Sequence, residues 1–423
     1  MEFCRIVVKV LVLCSVWEWV GAKTLESDVQ ALILFKNAVE ADSIGPSTCL
    51  GSWNFSVDPC DFRSTTQFVC GIRCDVKTRG MSRVTSLALD GVGYKGYVHS
   101  AIGNLTELTE LDLGGNGFHG TIPESITGLG KLSRLDLSGN MLSGGLPLSL
   151  GSLKSLQVMS LSRNMLSGSV SGSLNNLKSL MRLDLSYNNL GGRIPPLGGL
   201  IQLYNLDMSF NRLVGVIPSE LPGYLSQLTL KSNLLSGGVP TSLGRVMGLG
   251  VLDLSCNRLS GAIDGSLFSH PELQQVNLSN NSFSAISVPD LSGMESQLVA
   301  VDIGFNRIGG LLPSNFSTLQ SLAALSLRYN GFQGPIPEGY GTKAASAEKP
   351  LVRLYLDGNY LNGGVPSEFL RISSEKITGS FAINCLKSCP SNLLLCKGAQ
   401  RPASVCRRAY RSRKGPFKIS HVP

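Results

Sequence analysis

The sequence predicts a curved α/β repeat solenoid, with parallel β-strands on its concave face and a disulfide-bonded cap at each end. Three observations carry this. Gly supplies 48 of the 423 residues and charged residues only 16%, a balance foreign to most α/β enzymes, while 43% apolar residues exclude disorder. From residue 84 a 24-residue pattern recurs, L-x-x-L-x-L-x-x-N-x-L-x-G-x-I-P followed by L-x-x-L. Cysteines gather in two groups of four, one on either side of that array.

Residues 1–22 read as a secretion signal: Arg5, an apolar stretch from Ile6 to Trp17, then Val20, Gly21 and Ala22 for cleavage. The stretch is shorter than the ~20 apolar residues a bilayer demands, and no later segment approaches that length, so no intrinsic membrane span is expected. Residues 23–83 read as an N-terminal cap. Ser27-Asp28-Val29-Gln30 has the form of a capping box, and Ala31, Leu32, Phe35, Ala38 and Val39 supply an apolar stripe, which predicts a helix over 28–40. Trp53 and the quartet Cys49, Cys60, Cys70 and Cys74 close the core before the array. Four cysteines can pair in three ways, and spacing leaves all three open.

Residues 84–374 hold twelve units, starting at Val84, Leu108, Leu132, Leu156, Leu180, Leu203, Leu225, Leu249, Leu273, Leu298, Leu322 and Leu351. The L-x-x-L-x-L stretch alternates apolar and polar residues, the signature of a short strand with one buried face. One unit cannot bury that face alone, so neighbours must stack. Eleven units carry Asn at the ninth position, where the chain turns inward and an amide can satisfy buried backbone groups. Twelve strands at ~4.8 Å spacing give an inner sheet about 55 Å long. Residues 341–350 lengthen unit eleven and are expected to form a loop on the convex side. Residues 375–406 form the second cap, with Cys385, Cys389, Cys396 and Cys406, whose pairing is equally open. Residues 407–423 are a basic tail. Nine cations and no acid follow Cys385, more than the whole net charge of +8, so the remainder is near neutral and the end suits an acidic polysaccharide.

The repeat unit resembles the plant-specific class of extracellular leucine-rich repeats. The stretch from Asp28 to Lys36 resembles the opening of the plant N-terminal cap. Ser52-Trp53-Asn54, Asp58-Pro59-Cys60 and Cys70-Gly71-Ile72-Arg73-Cys74 resemble its close. Over roughly residues 25–375 the resemblance implies a solenoid that binds peptides, proteins or wall glycans. Receptor-kinase ectodomains, kinase-less receptor-like proteins and polygalacturonase inhibitors belong to that superfamily. No kinase or membrane span follows the repeats here, and three residues separate Cys70 from Cys74 where the inhibitors carry adjacent cysteines. The expected function is a secreted, non-enzymatic recognition module of plant signalling, growth or defence, in the extracellular space or cell wall. Alternatives are an inhibitor of a wall-degrading hydrolase such as polygalacturonase, and a receptor-complex subunit peripheral at the plasma membrane. Expected partners are a protein or peptide, a receptor-kinase ectodomain among them, and acidic wall polysaccharide, with no nucleic acid.

Positions two, three, five, seven and eight of each unit are expected on the concave face. Units three to six place Arg134, Arg163, Arg182, Tyr187, Tyr204 and Phe210 there; units ten to twelve place Phe305, Arg328, Tyr329, Arg353 and Tyr355. Arg and aromatic side chains combine large area with directed hydrogen bonds, the usual make-up of binding hot spots, and also suit sugar rings and carboxylates. No catalytic, cofactor or metal site is assigned. Gly91-x-Gly93-x-x-Gly96 occupies the turn of unit one, not the opening of a helix. His99, His119, His270 and His421 share no catalytic spacing. The recurring Asp at position five (Asp112, Asp136, Asp184, Asp207, Asp253, Asp302) reads as a feature of the repeat. Five glycosylation sequons fit export: Asn54, Asn104, Asn277, Asn280 and Asn315. Glycans on Asn277, at a concave strand position, and Asn280, at its edge, would divide the two clusters. Cys256, at position eight, is left as an unreactive thiol near the concave rim.

Overall fold

The computed structural model describes residues 23–61, 67–75, 80–290, 293, 296–373 and 375–411. The expected signal at 1–22 and residues 412–423 of the basic tail lie outside them. Among the described residues, fourteen strands form one sheet. Ile72–Cys74 opens it, antiparallel to Val84–Ala88, and so occupies an edge that would otherwise stand open. Each later strand pairs in parallel and in register with the same position one unit on, as Arg182, Leu183 and Asp184 pair with Asn205, Leu206 and Asp207. The apolar residue at the centre of each strand in the twelve units, from Leu87 to Leu354, is at most 2% exposed. Opposite the sheet, many units carry a 3-10 turn that buries apolar residues; Glu124–Gly128, which follows Pro123, buries Ile126. Further parallel strands, Gly117–Thr121 and Met141–Gly144 among them, run along the flank.

The ninth-position Asn holds neighbouring units together. Asn140 Nδ2 donates to Leu113 O of the preceding unit at 2.9 Å and to Leu137 O of its own at 3.1 Å. Its Oδ1 accepts from Phe118 N of the preceding unit at 2.9 Å. The backbone groups freed by the inward turn are thus satisfied without water.

The solenoid runs one turn beyond the twelve units. Thr378–Ser380 adds a further parallel strand beside Arg353–Tyr355. Asn384 repeats the ladder, with Nδ2 on Leu356 O and Phe381 O and Oδ1 accepting from Leu361 N. The sequence places these residues in the cap because Gly379 stands where the strand-centre leucine belongs. A Cβ at Gly379 would lie 1.8 Å from Leu354 O, so only glycine fits this last strand.

Three further expectations need correction. Helix α1 spans Glu26–Asn37, not 28–40, and no side chain caps it. Asp28, expected in a capping box, is fully buried; it accepts from Arg83 Nε at 2.9 Å, Arg83 Nη2 at 3.0 Å and Val84 N at 3.0 Å. A buried carboxylate demands such a set, and the ion pair outcompetes the cap. After the short helix α2 (Cys49–Ser52), the insertion in unit eleven is only half a loop: 341–345 belong to helix α3, Glu338–Ala345, and 346–350 form the loop. Its Tyr340 is buried and donates to Pro313 O at 2.7 Å. Helix α4, Ala403–Arg411, crosses the expected boundary between cap and tail. Tyr410 Oη donates to Tyr360 O at 2.6 Å and accepts from Gly334 N at 3.2 Å, so the tail begins docked.

The structure selects one pairing in each cap: Cys49–Cys70 with Cys60–Cys74, and Cys385–Cys406 with Cys389–Cys396. Trp53 donates Nε1 to Cys70 O at 3.0 Å beside the first pair.

Candidate binding face

Position eight is the feature that organises this face. There the backbone is left-handed in unit after unit, with φ of 55° at Arg163, 54° at Tyr187, Phe210 and Phe305, 56° at Cys256 and Asn280, and 50° at Tyr329. Each non-glycine residue in that conformation costs about 1 kcal/mol or more. The conformation lines up position-eight side chains of successive units in one column along the concave rim. Cys256 stands in it half-buried, its Sγ accepting from Asn280 Nδ2 at 3.4 Å.

Two stacks result. Tyr187 and Phe210 lie face to face, 4.1 Å between centroids and 13° from parallel. Arg163 covers the outer face of Tyr187 at 4.6 Å, and Lys231 lies over Phe210 at 5.6 Å. With both outer faces occupied by cations, this stack presents edges and charges. Lys231 escaped the sequence reading, although a cation at position seven, where most units carry Ser or Gly, marks it. Phe305 and Tyr329 form the second stack, 4.7 Å apart and 8° from parallel. A Cβ on Gly358 would lie 2.7 Å from the Tyr329 ring, so glycine at position eight of unit twelve lets that ring lie against backbone.

Arg328 gathers the second group. Its guanidinium lies 5.6, 5.5 and 5.1 Å from the Phe305, Tyr329 and Tyr355 rings, and Nη2 donates to Asp357 Oδ2 at 2.8 Å. Phe305, Arg328, Tyr355 and Arg353 line one side of a hollow of about 560 Å³ over units eight to twelve, with Asn277 and Asp302 also on its wall. Arg328 Nε and Ser326 Oγ, on residues that line it, are buried without a hydrogen-bond partner, as is Asp357 Oδ1, whose carboxylate pairs with Arg328. Buried polar atoms are rarely left so. Asp357 and Ser326 were also missed; Arg328 and Asp357 are opposite charges at position seven of consecutive units, a signal the sequence does contain.

The remaining expected residues do not join these groups. Arg134 lies 3.8, 3.5 and 3.1 Å from carboxylates of Glu110, Asp112 and Asp136, which neutralise it. Arg182 and Tyr204 stand exposed on the face, outside both stacks. The position-five acids act locally, each Oδ1 accepting from the backbone N–H two residues on, as Asp136 does from Ser138 N at 3.0 Å and Asp207 from Ser209 N at 2.8 Å. Burial raises the Asp207 pKa above the ordinary carboxylate value, with Asp184 and Asp253 adding to the shift.

Two families match: Leucine rich repeat N-terminal domain over residues 25–66, and Leucine Rich Repeat over 107–129, 131–153, 179–200, 202–223 and 272–294. The chain thus carries leucine-rich repeats behind a leucine-rich-repeat N-terminal domain. Among curated proteins it is similar to Receptor-like protein 7 of Arabidopsis thaliana, 35% identical over 150 residues that cover 36% of this chain and 14% of that protein. Receptor-like protein 18 of the same plant is 35% identical over 162 residues, covering 37% and 18%. The matches thus span less than a fifth of those relatives' length. Among solved structures, the PEPR1–AtPEP1 complex superposes with TM-score 0.71 at 32% identity, covering 85% of this chain and 49% of that one. The plant peptide hormone receptor RGFR1 in complex with RGF2 gives 0.60 at 30%, covering 69% and 50%. No helix among the described residues of this leucine-rich-repeat protein is long and apolar enough to cross a membrane.

Proposed function

We propose that the protein is a secreted, non-enzymatic recognition module that binds a peptide or protein segment across the hollow of units eight to twelve. The observation that carries this is the pair of unpartnered polar atoms on residues that line that hollow, Arg328 Nε and Ser326 Oγ, beside the exposed Arg353. A ligand offering backbone N–H and C=O groups would supply both the acceptor and the donor they lack. The similarity to PEPR1 with AtPEP1 and RGFR1 with RGF2 supports a peptide. The Tyr187–Phe210 stack is already capped at both ends and contributes mainly rigidity.

The test is capture of partners from plant extracellular fluid and membranes by the full chain, beside an Arg328→Ala/Arg353→Ala variant and a Tyr187→Ala variant. A peptide or receptor-kinase ectodomain lost only with the arginine pair is the expected result. Partners that survive it would sink the assignment to the hollow. Loss of a glycan hydrolase instead would move the reading to an inhibitor.

A second, independent contact is supported by helix α4. Ser404, Arg407, Arg408 and Arg411 surround an open groove of about 430 Å³ and carry no acid among them. This basic face suits acidic wall polysaccharide through screened electrostatics. Arg407→Glu/Arg408→Glu/Arg411→Glu, which leaves Tyr410 and Cys406 in place, should elute from a pectate column at lower salt. Unchanged elution would remove this contact.

A further inference from the structure

The five sequons differ in what their amides are doing. Asn277 and Asn315 are half-buried and engaged. Asn315 Nδ2 donates to Val288 O at 3.0 Å. Asn277 Oδ1 accepts from Ser279 N at 3.1 Å and from Ser279 Oγ at 2.7 Å, the hydroxyl its own sequon needs, and Nδ2 lies 3.5 Å from Asp253 Oδ2. Asn277 also lines the hollow, so a sugar on it would fill that space. Asn280, three residues on, is exposed, and its amide makes only the weak contact to Cys256 Sγ at 3.4 Å.

Asn280 also stands beside an open aromatic face. Asn280 N donates to Gly304 O at 2.9 Å and Asn281 N to Phe305 O at 3.2 Å, so Asn280 and Phe305 are consecutive members of the position-eight column. One face of the Phe305 ring is covered by Tyr329, nearly parallel at 4.7 Å. Its other face therefore points back along the solenoid, towards Asn280. Phe305 is 47% exposed.

We infer that Asn280 carries an N-linked glycan whose first N-acetylglucosamine stacks on the open face of Phe305, and that Asn277 stays unmodified. The inference rests on export, as the proposed function does. The donor is the lipid-linked oligosaccharyl pyrophosphate of the secretory lumen. Asn280 Nδ2 gives up one proton and bonds to the anomeric carbon, the bond from that carbon to the pyrophosphate oxygen breaks, and the lipid pyrophosphate leaves. The remaining N–H can keep the Cys256 contact. The sugar continues the column that Phe305 and Tyr329 begin, over the thiol and at the rim rather than inside the hollow. The carbon–hydrogen face of a sugar ring packs on an aromatic face as other apolar groups do, and such a contact is worth a few-fold in occupancy.

Intact-glycopeptide mapping of the full chain secreted from plant cells reads the first half of the claim. Asn280 occupied and Asn277 bare is the expected result. Asn280 bare, or Asn277 occupied in its place, overturns it. Asn54 and Asn104, both exposed, separate the causes: glycans there with Asn280 bare leave export standing, and none anywhere defeats export as well. The second half is read from glycan release by an amidase under native conditions. Phe305→Ala should speed release at Asn280 about two- to tenfold and leave Asn104 unchanged, while Phe305→Tyr should keep the slow rate. Equal rates in wild type and Phe305→Ala would overturn the stacking.

Discussion

Asn140 shows why one side chain can recur through the array with so little variation. Its amide uses both hydrogens and its oxygen on backbone groups of two units, and no other residue of that length offers donors and an acceptor together. Asn140→Ala removes the acceptor of Phe118 N and leaves Leu113 O with Asn116 Nδ2 as its remaining side-chain donor, and should cost about 1–3 kcal/mol in urea unfolding. Asp207 is a contrasting case. Burial, with neighbouring Asp184 and Asp253, raises its folded pKa, so the native state prefers the protonated acid. The penalty is absent below the unfolded pKa of about 4 and grows as pH rises through the folded value. Asp207→Asn keeps the acceptor for Ser209 N, so its Tm should exceed wild type at pH 7, with the gain gone below pH 4. A variant no more stable at pH 7 would show that the charge is not strained.

Among the elements, α3 and α4 are where secondary structure departs from the expected pattern. Residues 341–350 contain Gly, Thr and Ser and read as a loop, yet Tyr340 and Ala344 anchor the helix by burial against the preceding unit. Tyr340→Ala removes a buried ring and a hydrogen bond together and should cost about 3–5 kcal/mol, with exchange protection lost first across 338–345. If protection there stayed as in wild type, Tyr340 would not be the anchor. In α4, which buries no residue fully, the Cys385–Cys406 link and Tyr410 do the holding. Composition shows the charge of this segment; its docking depends on one tyrosine meeting the flank of units eleven and twelve.

At the scale of the molecule, each unit touches only its neighbours, so stability sums along the stack and the ends are its weak points. The N-terminal end depends on Asp28, whose pair with Arg83 ties α1 to the first strand. Asp28→Ala strands the Arg83 guanidinium, which is 9% exposed, and should cost about 3–5 kcal/mol, with the cap opening before the repeats. Pulse proteolysis checks this: cleavage should begin within 23–83, and cleavage starting inside the array would place the weak point elsewhere.

Period and polarity were enough for the solenoid, its strand register, the Asn ladder and the two cysteine-closed ends, because those properties repeat every 24 residues and depend on neighbours of the same kind. They also brought Arg163, Tyr187 and Phe210, and Phe305, Arg328 and Tyr329, to the same face. The left-handed turn at position eight, which makes these residues into two stacks, came only from the fold. So did the buried role of Asp28 and the docking of Tyr410. Each is a single contact between residues with no counterpart in other units, and periodicity carries information only about what repeats.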